Sequence, residues 1–382
     1  MRRGWRYFAE RLNGDGTATL LDPDIPLSEV DIELRLTEPS SLTARVSPEM
    51  SRLRADDGLP LFDEWSTAIY AEKDGDIRGA GILVDSGFAK GTWQLECVGW
   101  MGYFKDMPYV GTGQFFANED TLNITRAIML HVQAQPGSNI GLIPSAHLSG
   151  KRSGTRLEGV EYYDDEEVED DPTLSELETQ AYQLAYYQDH DLLENIATLA
   201  SESPFEYVEE HRWSGDSVAH HVRFGAPKIG RRREDLRFMV GENVFVTPEV
   251  RRPGEDYASE VHTLGAGEGM KMIRGWASLP RGKRLRRVAI ESKPSLRTVG
   301  QAQSFSRSSL QWRQRLDSVE SLMVRDTEMA PIGSFDLGDE IYVAGNAGWL
   351  QLDTWVRILG IRIQPNEPSS IELTVQRSDR LV

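Results

Sequence analysis

Alternation of apolar and polar residues near both ends of this chain commits it to sheets. Val30, Ile32, Leu34 and Leu36 alternate with Asp31, Glu33 and Arg35, and Leu42, Ala44 and Val46 repeat the pattern until Pro48. Towards the other end Ile371, Leu373 and Val375 alternate with Glu372, Thr374 and Gln376. A period of two sends successive side chains to opposite faces, which describes a half-buried strand. Ile341 to Ala344 and Trp355 to Ile363 alternate as well. Turn chemistry adds two hairpins. Thr67 to Ala71 and Gly79 to Val84 flank Lys73-Asp74-Gly75-Asp76, where Asp-Gly accepts the positive φ of a type I′ turn. Phe205 to Trp213 and Val218 to Phe224 surround Ser214-Gly215-Asp216-Ser217. Trp93, Leu95 and Cys97 alternate with Gln94 and Glu96, so the lone cysteine is read as filling a strand's core face.

Helical spacing interrupts the strands. Leu122, Ile124, Ile128, Met129 and Val132 predict a helix over Thr121 to Gln133, stopped by Pro136-Gly137. Residues 144 to 171 read as a loop. Thr173 with Glu176 forms a capping box before the stripe Leu174, Leu177, Ala181 and Leu184. Asp191 with Glu194 opens a further helix carrying Leu192, Leu193, Ile196 and Leu199, and another is expected within Ser295 to Ser318. The order β, α, β predicts an α+β fold, mainly β, of barrels with helical insertions. Expected boundaries are a first β domain over 1–105, a helical and acidic insertion over 106–203, a second β domain over 204–300, and a completing segment over 301–382. A chain of 382 residues with nine Trp, twelve Tyr and twelve Phe has the length and apolar content for such cores.

The charge is confined. From Leu157 to His211 there is no Lys or Arg, while the same window holds 18 Asp and Glu. The formal net charge is −18, so the remainder of the chain is balanced at 42 acids against 42 bases. A net negative chain without a dominant basic face argues against sequence-specific nucleic-acid binding. No apolar run reaches the ~20 residues needed to span a bilayer, and Met1-Arg2-Arg3-Gly4-Trp5-Arg6 leads into mixed polar sequence unlike a secretory signal.

The octet Asp164, Asp165, Glu166, Glu167, Val168, Glu169, Asp170 and Asp171 lacks the glycine of a calcium loop at its sixth position, so it reads as a self-repelling solvated segment. Gly265-Ala266-Gly267-Glu268-Gly269 lacks the spacing of a dinucleotide loop and reads as a strand-to-strand turn. No nucleophile elbow, zinc-protease motif or phosphate loop is present. One constellation remains. A turn centred between Gly215 and Asp216 pairs residues whose numbers sum to 431, which sets His211 opposite His220. Glu209 shares that face with Phe205, Tyr207, Trp213, Val218, Val222 and Phe224. Two imidazoles and Glu209 make a ligand set for Zn²⁺ or another divalent metal. The aromatic surroundings favour the other reading, a neutral pair packed into a core with no cofactor.

A series of segments runs nearly end to end. It starts with Ala68-Ile69-Tyr70 to Gly79-Ala80-Gly81-Ile82-Leu83, then Leu95-Glu96-Cys97-Val98-Gly99-Trp100-Met101-Gly102-Tyr103-Phe104. It continues through the helix Asp191 to Leu199, Phe205-Glu206-Tyr207, Gly241-Glu242-Asn243-Val244 and Leu264-Gly265-Ala266-Gly267-Glu268-Gly269. The last are Leu337-Gly338-Asp339-Glu340-Ile341, Trp355-Val356-Arg357-Ile358 and Glu372-Leu373-Thr374-Val375. In this order the segments resemble the minor tail proteins of actinobacteriophage siphoviruses, which are similar to the tail-associated hub proteins of the tail tip.

The resemblance implies tube-like β-barrel hub domains and a homotrimeric ring that closes the distal end of the tail tube. The implied partners are the distal tail protein, the tape measure protein, and tail fibre or receptor-binding proteins. Genomic DNA would pass through without specific binding. The chain would be made in the bacterial cytoplasm and reside at the virion tail tip, without catalysis and without membrane insertion. Val382 follows the last strand closely, so no enzymatic extension is expected. Asp164, Asp165, Glu166, Glu167, Glu169, Asp170 and Asp171 are expected to line the channel or border a basic neighbour such as Arg281 to Arg287. A secreted β-rich carbohydrate-active hydrolase, or a glycan-binding module using exposed Trp and Tyr, are the alternatives.

Overall fold

The structure is a computed structural model that describes residues 4–378, apart from 56–57, 90, 112, 154–181, 188, 252–253, 268, 280–283, 294–295, 297, 315–317, 326, 329, 332 and 366–369. The chain divides into two compact units, Met1–Ile229 with Arg362–Pro368, and Gly230–Ile361 with Ser369–Val382. The fold is mainly β with helices, as the alternation predicts.

The first unit is built on β1 (Trp5–Leu12), β2 (Ala18–Asp22), β3 (Ser28–Arg35), β4 (Ser41–Val46), β5 (Thr67–Lys73), β6 (Asp76–Ala89) and β7 (Thr92–Val98). They are ordered β3-β4-β7-β6-β5-β1-β2, all antiparallel. Val30 and Ile32 are buried on β3, and Leu42, Ala44 and Val46 on β4. Asp74 and Gly75 join β5 to β6 with φ of 55° and 96°, the two positive values a type I′ turn demands. Cys97 is buried on β7 opposite Leu42, and burial pushes its thiol up out of the reactive range.

Helices α1 (Thr121–Gln133) and α2 (Leu192–Glu202) cap as their sequences require. Asp120 accepts from the Leu122 N–H, and Asp191 from those of Leu193 and Glu194. Leu122, Ile124, Ile128, Met129 and Val132 of α1, with Leu192, Ile196 and Leu199 of α2, enter one core with Phe8, Tyr70, Trp100 and Phe104. The same core receives the hairpin of β9 (Glu206–Ser214) and β10 (Ser217–Gly225), to which β8 (Leu142–Pro144) adds in parallel.

In the second unit β11 (Arg232–Met239), β16 (Glu340–Ala347), β17 (Leu350–Ile363), β18 (Ser370–Arg377) and β15 (Ser321–Arg325) neighbour one another in that order. Ile371, Leu373 and Val375 are buried on β18, as their alternation predicts. A separate layer holds β12 (Glu260–Leu264) between β13 (Arg274–Ser278) and β14 (Val288–Ser292), with α3 (Val299–Arg313) packed against β12 and β13. Thr298 and Gln301 cap α3 reciprocally. Gly265–Gly267 begin the β12–β13 connection, where Gly265 N–H donates to the Ile273 carbonyl at 2.7 Å.

Two expectations are corrected. Among the described strands no sheet closes into a barrel. Alternation is the same in open and closed sheets, because closure depends on strand tilt and stagger. Leu184, expected on a helical stripe, lies instead in the strand Tyr182–Leu184, paired with Gln114–Phe116. Ladder bonds to a distant segment outweigh the local periodicity there. The Thr173–Glu176 capping box, with Leu174, Leu177 and Ala181, lies outside the described residues.

Candidate functional site: a histidine pair within an aromatic core

The β9–β10 register obeys the predicted sum throughout, from Glu206 opposite Gly225 to Ser214 opposite Ser217. His211 therefore faces His220, with their Nδ1 atoms 3.0 Å apart. Trp100 lies against both imidazoles, its ring centre 4.2 Å from that of His220 and 4.6 Å from that of His211. The Trp100 indole N–H donates to the Ile140 carbonyl at 3.1 Å. Tyr70 stacks on Phe8 at 4.7 Å, and Phe8 on Trp213 at 5.0 Å.

The partners dictate where protons sit. The Tyr70 hydroxyl bonds to the Glu10 carboxylate and, with Glu10 ionised, donates to it. It then accepts from His220 Nε2 at 3.4 Å. That leaves His220 Nδ1 as acceptor, so His211 Nδ1 carries the proton shared between the rings. The result is a chain of neutral groups ending on one buried acid. Burial pushes the His220 imidazole down to about 3, aided by the charge of His221. Burial holds His211 well below its ordinary range, with His220 and His221 adding to the effect.

Glu209 takes a different part. Its Oε1 accepts the Met101 N–H at 2.7 Å, and Ser40 also bonds to the carboxylate. Oε2 is buried without a partner. Burial dominates and pushes the carboxyl up to about 7, against the lowering effect of Met101 and Ser40. A Cβ at Gly99 would lie 2.1 Å from Oε2, so any larger residue there must displace the carboxylate. Glu209 thus anchors the short helical turn Trp100–Phe104 that carries the indole. The metal reading requires that carboxylate beside the imidazoles. Among the described residues no group of three or more His, Cys, Asp or Glu is arranged to hold a metal ion.

An open depression on β3, β4 and β7 includes Glu29 and Asp31. Glu29 pairs with Arg45 at 2.6 Å, and Asp31 receives Arg362 Nε at 2.9 and 3.0 Å. Asp164, Asp165, Glu166, Glu167, Glu169, Asp170 and Asp171 lie outside the described residues. Several acids of the described remainder of the block serve local structure. Asp191 caps α2, Glu206 accepts the Ile229 N–H at 2.7 Å, and Glu210 binds Arg212 and Arg223 at 2.8 and 2.5 Å.

The pairing of His211 with His220 was readable from the turn, but Trp100, Tyr70, Phe8 and Glu10 were not read into the site. Tyr70 and Trp100 stand far from the pair in sequence. The available signal was Gly99-Trp100-Met101-Gly102, two glycines bracketing large apolar residues where strand alternation stops.

The fold, of sheets joined to capped helices with a smaller β layer under its own helix, is similar to that of solved bacteriophage tail proteins. The chain is similar over 99% of its length to all of the prophage MuSo2 43 kDa tail protein from Shewanella oneidensis, at TM-score 0.60 and 10% identity. The tail protein from Neisseria meningitidis MC58 matches at TM-score 0.54 and 12% identity, over 98% of this chain and 97% of that one. Prophage tail protein gp18 from Listeria monocytogenes EGD-e matches at 0.53 and 10%, over 98% and 95%. No family model and no curated protein matches the sequence.

Proposed function

We propose that the chain is a structural, non-enzymatic protein of a virion tail, acting as a homotrimeric hub at the distal end of the tail tube. The observation that carries this reading is the fold likeness over 99% of the chain to the whole of a prophage tail protein. Its neighbours in this reading are the distal tail protein, the tape measure protein, and fibre or receptor-binding proteins. The sequence resemblance extends the reading to a siphovirus of an actinobacterial host. A wall of balanced or acidic charge suits a channel for DNA, because like charge keeps the passing polymer from binding. Asp164 to Asp171 are assigned to the channel wall or to a contact between copies. Negative-stain imaging of purified virions, with this chain labelled, tests the proposal. A three-fold ring at the tail tip is the expected result. Label distributed along the tail, or absent from it, overturns the hub.

A further inference from the structure

The β12–β14 layer has one covered face and one open face. Its covered core is small, consisting of Ala258, Val261, Ala277 and Leu310 with Ala289 against them. Thr263 and Ser306 close the contact with α3 through their hydroxyls at 2.7 Å. On the open face, register places Trp276, His262 and Ile290 in one row, and Ser278, Glu260 and Val288 in the next. Trp276 is 51% exposed, Ile290 70% and Val288 42%. Apolar side chains in adjacent positions on a sheet face mark an interaction surface more than single exposed ones do.

Glu260 is the one acid in these two rows. Glu260 accepts from His262 Nε2 at 2.7 Å, Trp276 Nε1 at 2.9 Å and Arg286 Nε at 2.9 Å, so its charge is already answered. Arg274, Arg284 and Arg287 are exposed, and the described residues give them no acidic partner. The two sheet edges also differ. Gln303 of α3 bonds both the N–H and the carbonyl of Trp276, which closes the β13 edge. Among the described residues β14 pairs only with β12, so its other edge presents backbone donors and acceptors to a further strand.

An apolar row, a cationic rim and an open strand edge together select an extended, acidic segment with β-forming apolar residues. The chain contains such a segment. Glu158 to Asp171 holds nine acids and no Lys or Arg, with Val160, Tyr162, Tyr163 and Val168 among them. Outside Leu157 to His211 the charges cancel at 42 against 42, so the net acidity of the chain lies in this block. We infer that Glu158–Asp171 of one copy docks on the β12–β14 face of the next. The inference rests on the ring reading, because a closed ring of three needs a head-to-tail contact between two different surfaces.

A reciprocal charge reversal tests it. One variant of the full chain carries Arg274→Glu, Arg284→Glu and Arg287→Glu. The other carries Asp164→Lys, Asp165→Lys, Glu166→Lys and Glu167→Lys. Light scattering and sedimentation at low and high salt give the mass, and circular dichroism confirms folding. The wild type is expected to assemble at low salt and weaken at high salt. Each variant alone places like charges in contact and is expected to weaken assembly by at least about tenfold, a change of roughly 1.4 kcal/mol. A chain carrying both sets of reversals juxtaposes opposite charges again at every contact of the ring and restores assembly. A monomeric wild type, unaltered assembly in either variant, or losses that the combined reversal does not rescue would overturn the inference. A three-fold ring in virions carrying either variant would sink this contact and leave the hub intact, whereas absence of a ring in wild-type virions sinks the hub itself.

Discussion

The His211–His220 pair and Glu209 drive stability in opposite directions with pH, and their removal separates the two. Both imidazoles are held below the ordinary His value of ~6.5, His220 at about 3. The unfolded chain therefore takes up protons below pH ~6.5 that the folded chain refuses, and stability is lost as pH falls from there towards 3. At pH 5 the deficit is 1.5 units below the unfolded value, or about 2 kcal/mol for His220 at roughly 1.4 kcal/mol per unit. His211 adds a loss of the same sign. Glu209 works the other way, because its folded carboxyl sits at about 7, above its ordinary value of 4.5. Its cost is greatest above pH 7 and is relieved by about 2.5 kcal/mol between pH 8 and pH 5. The two effects therefore offset one another in the wild type over that range. Substituting His211→Gln and His220→Gln together should remove the acid loss, shifting the pH 8 to pH 5 change by at least about 2 kcal/mol relative to wild type. Glu209→Gln should shift it oppositely, by about 2.5 kcal/mol. Urea unfolding followed by tryptophan fluorescence reads both, since Trp100 lies against the pair. The pH dependence is compared within each protein, so a uniform loss from placing amides in a core does not confuse the result. A double variant whose stability tracks the wild type from pH 8 to pH 5 within about 1 kcal/mol would refute the buried neutral pair.

Two further substitutions test how the core is positioned. Gly99→Ala forces a methyl against Glu209 Oε2, and overpacking of this kind should cost about 1–3 kcal/mol, measured by urea midpoint. The Glu209→Gln background should not relieve that loss, because the amide occupies the same space. Asp191→Ala removes the acceptor for the Leu193 and Glu194 N–H groups and should cost about 0.5–2 kcal/mol, with faster amide exchange at the first turn of α2.

What the sequence disclosed divides along the range of the interactions. Strands β3, β4, β7 and β18 were legible because each buries one face, and a buried face imposes a period of two. Register in the β9–β10 hairpin was legible for a local reason, since a two-residue turn leaves one pairing and thereby fixes His211 against His220. Interactions across long sequence separations left no such trace. Trp100 reaches the imidazoles because Glu209, 108 residues away, takes the Met101 N–H. Neither residue announces the other, for a carboxylate on a strand reads as surface until its partner is known. Leu184 fails for the related reason that its ladder partner lies near residue 114. Barrel closure was misjudged because tilt and stagger are properties of a whole sheet, and alternation within each strand is blind to them. Charge shows the same contrast. The imbalance around the acidic block was plain from counting, yet counting does not say which acids are committed. Asp191, Glu206 and Glu210 proved to be caps and pairs within the fold. The run before Asp171 carries the densest charge of the block, which makes a cationic, apolar sheet face the complement to test.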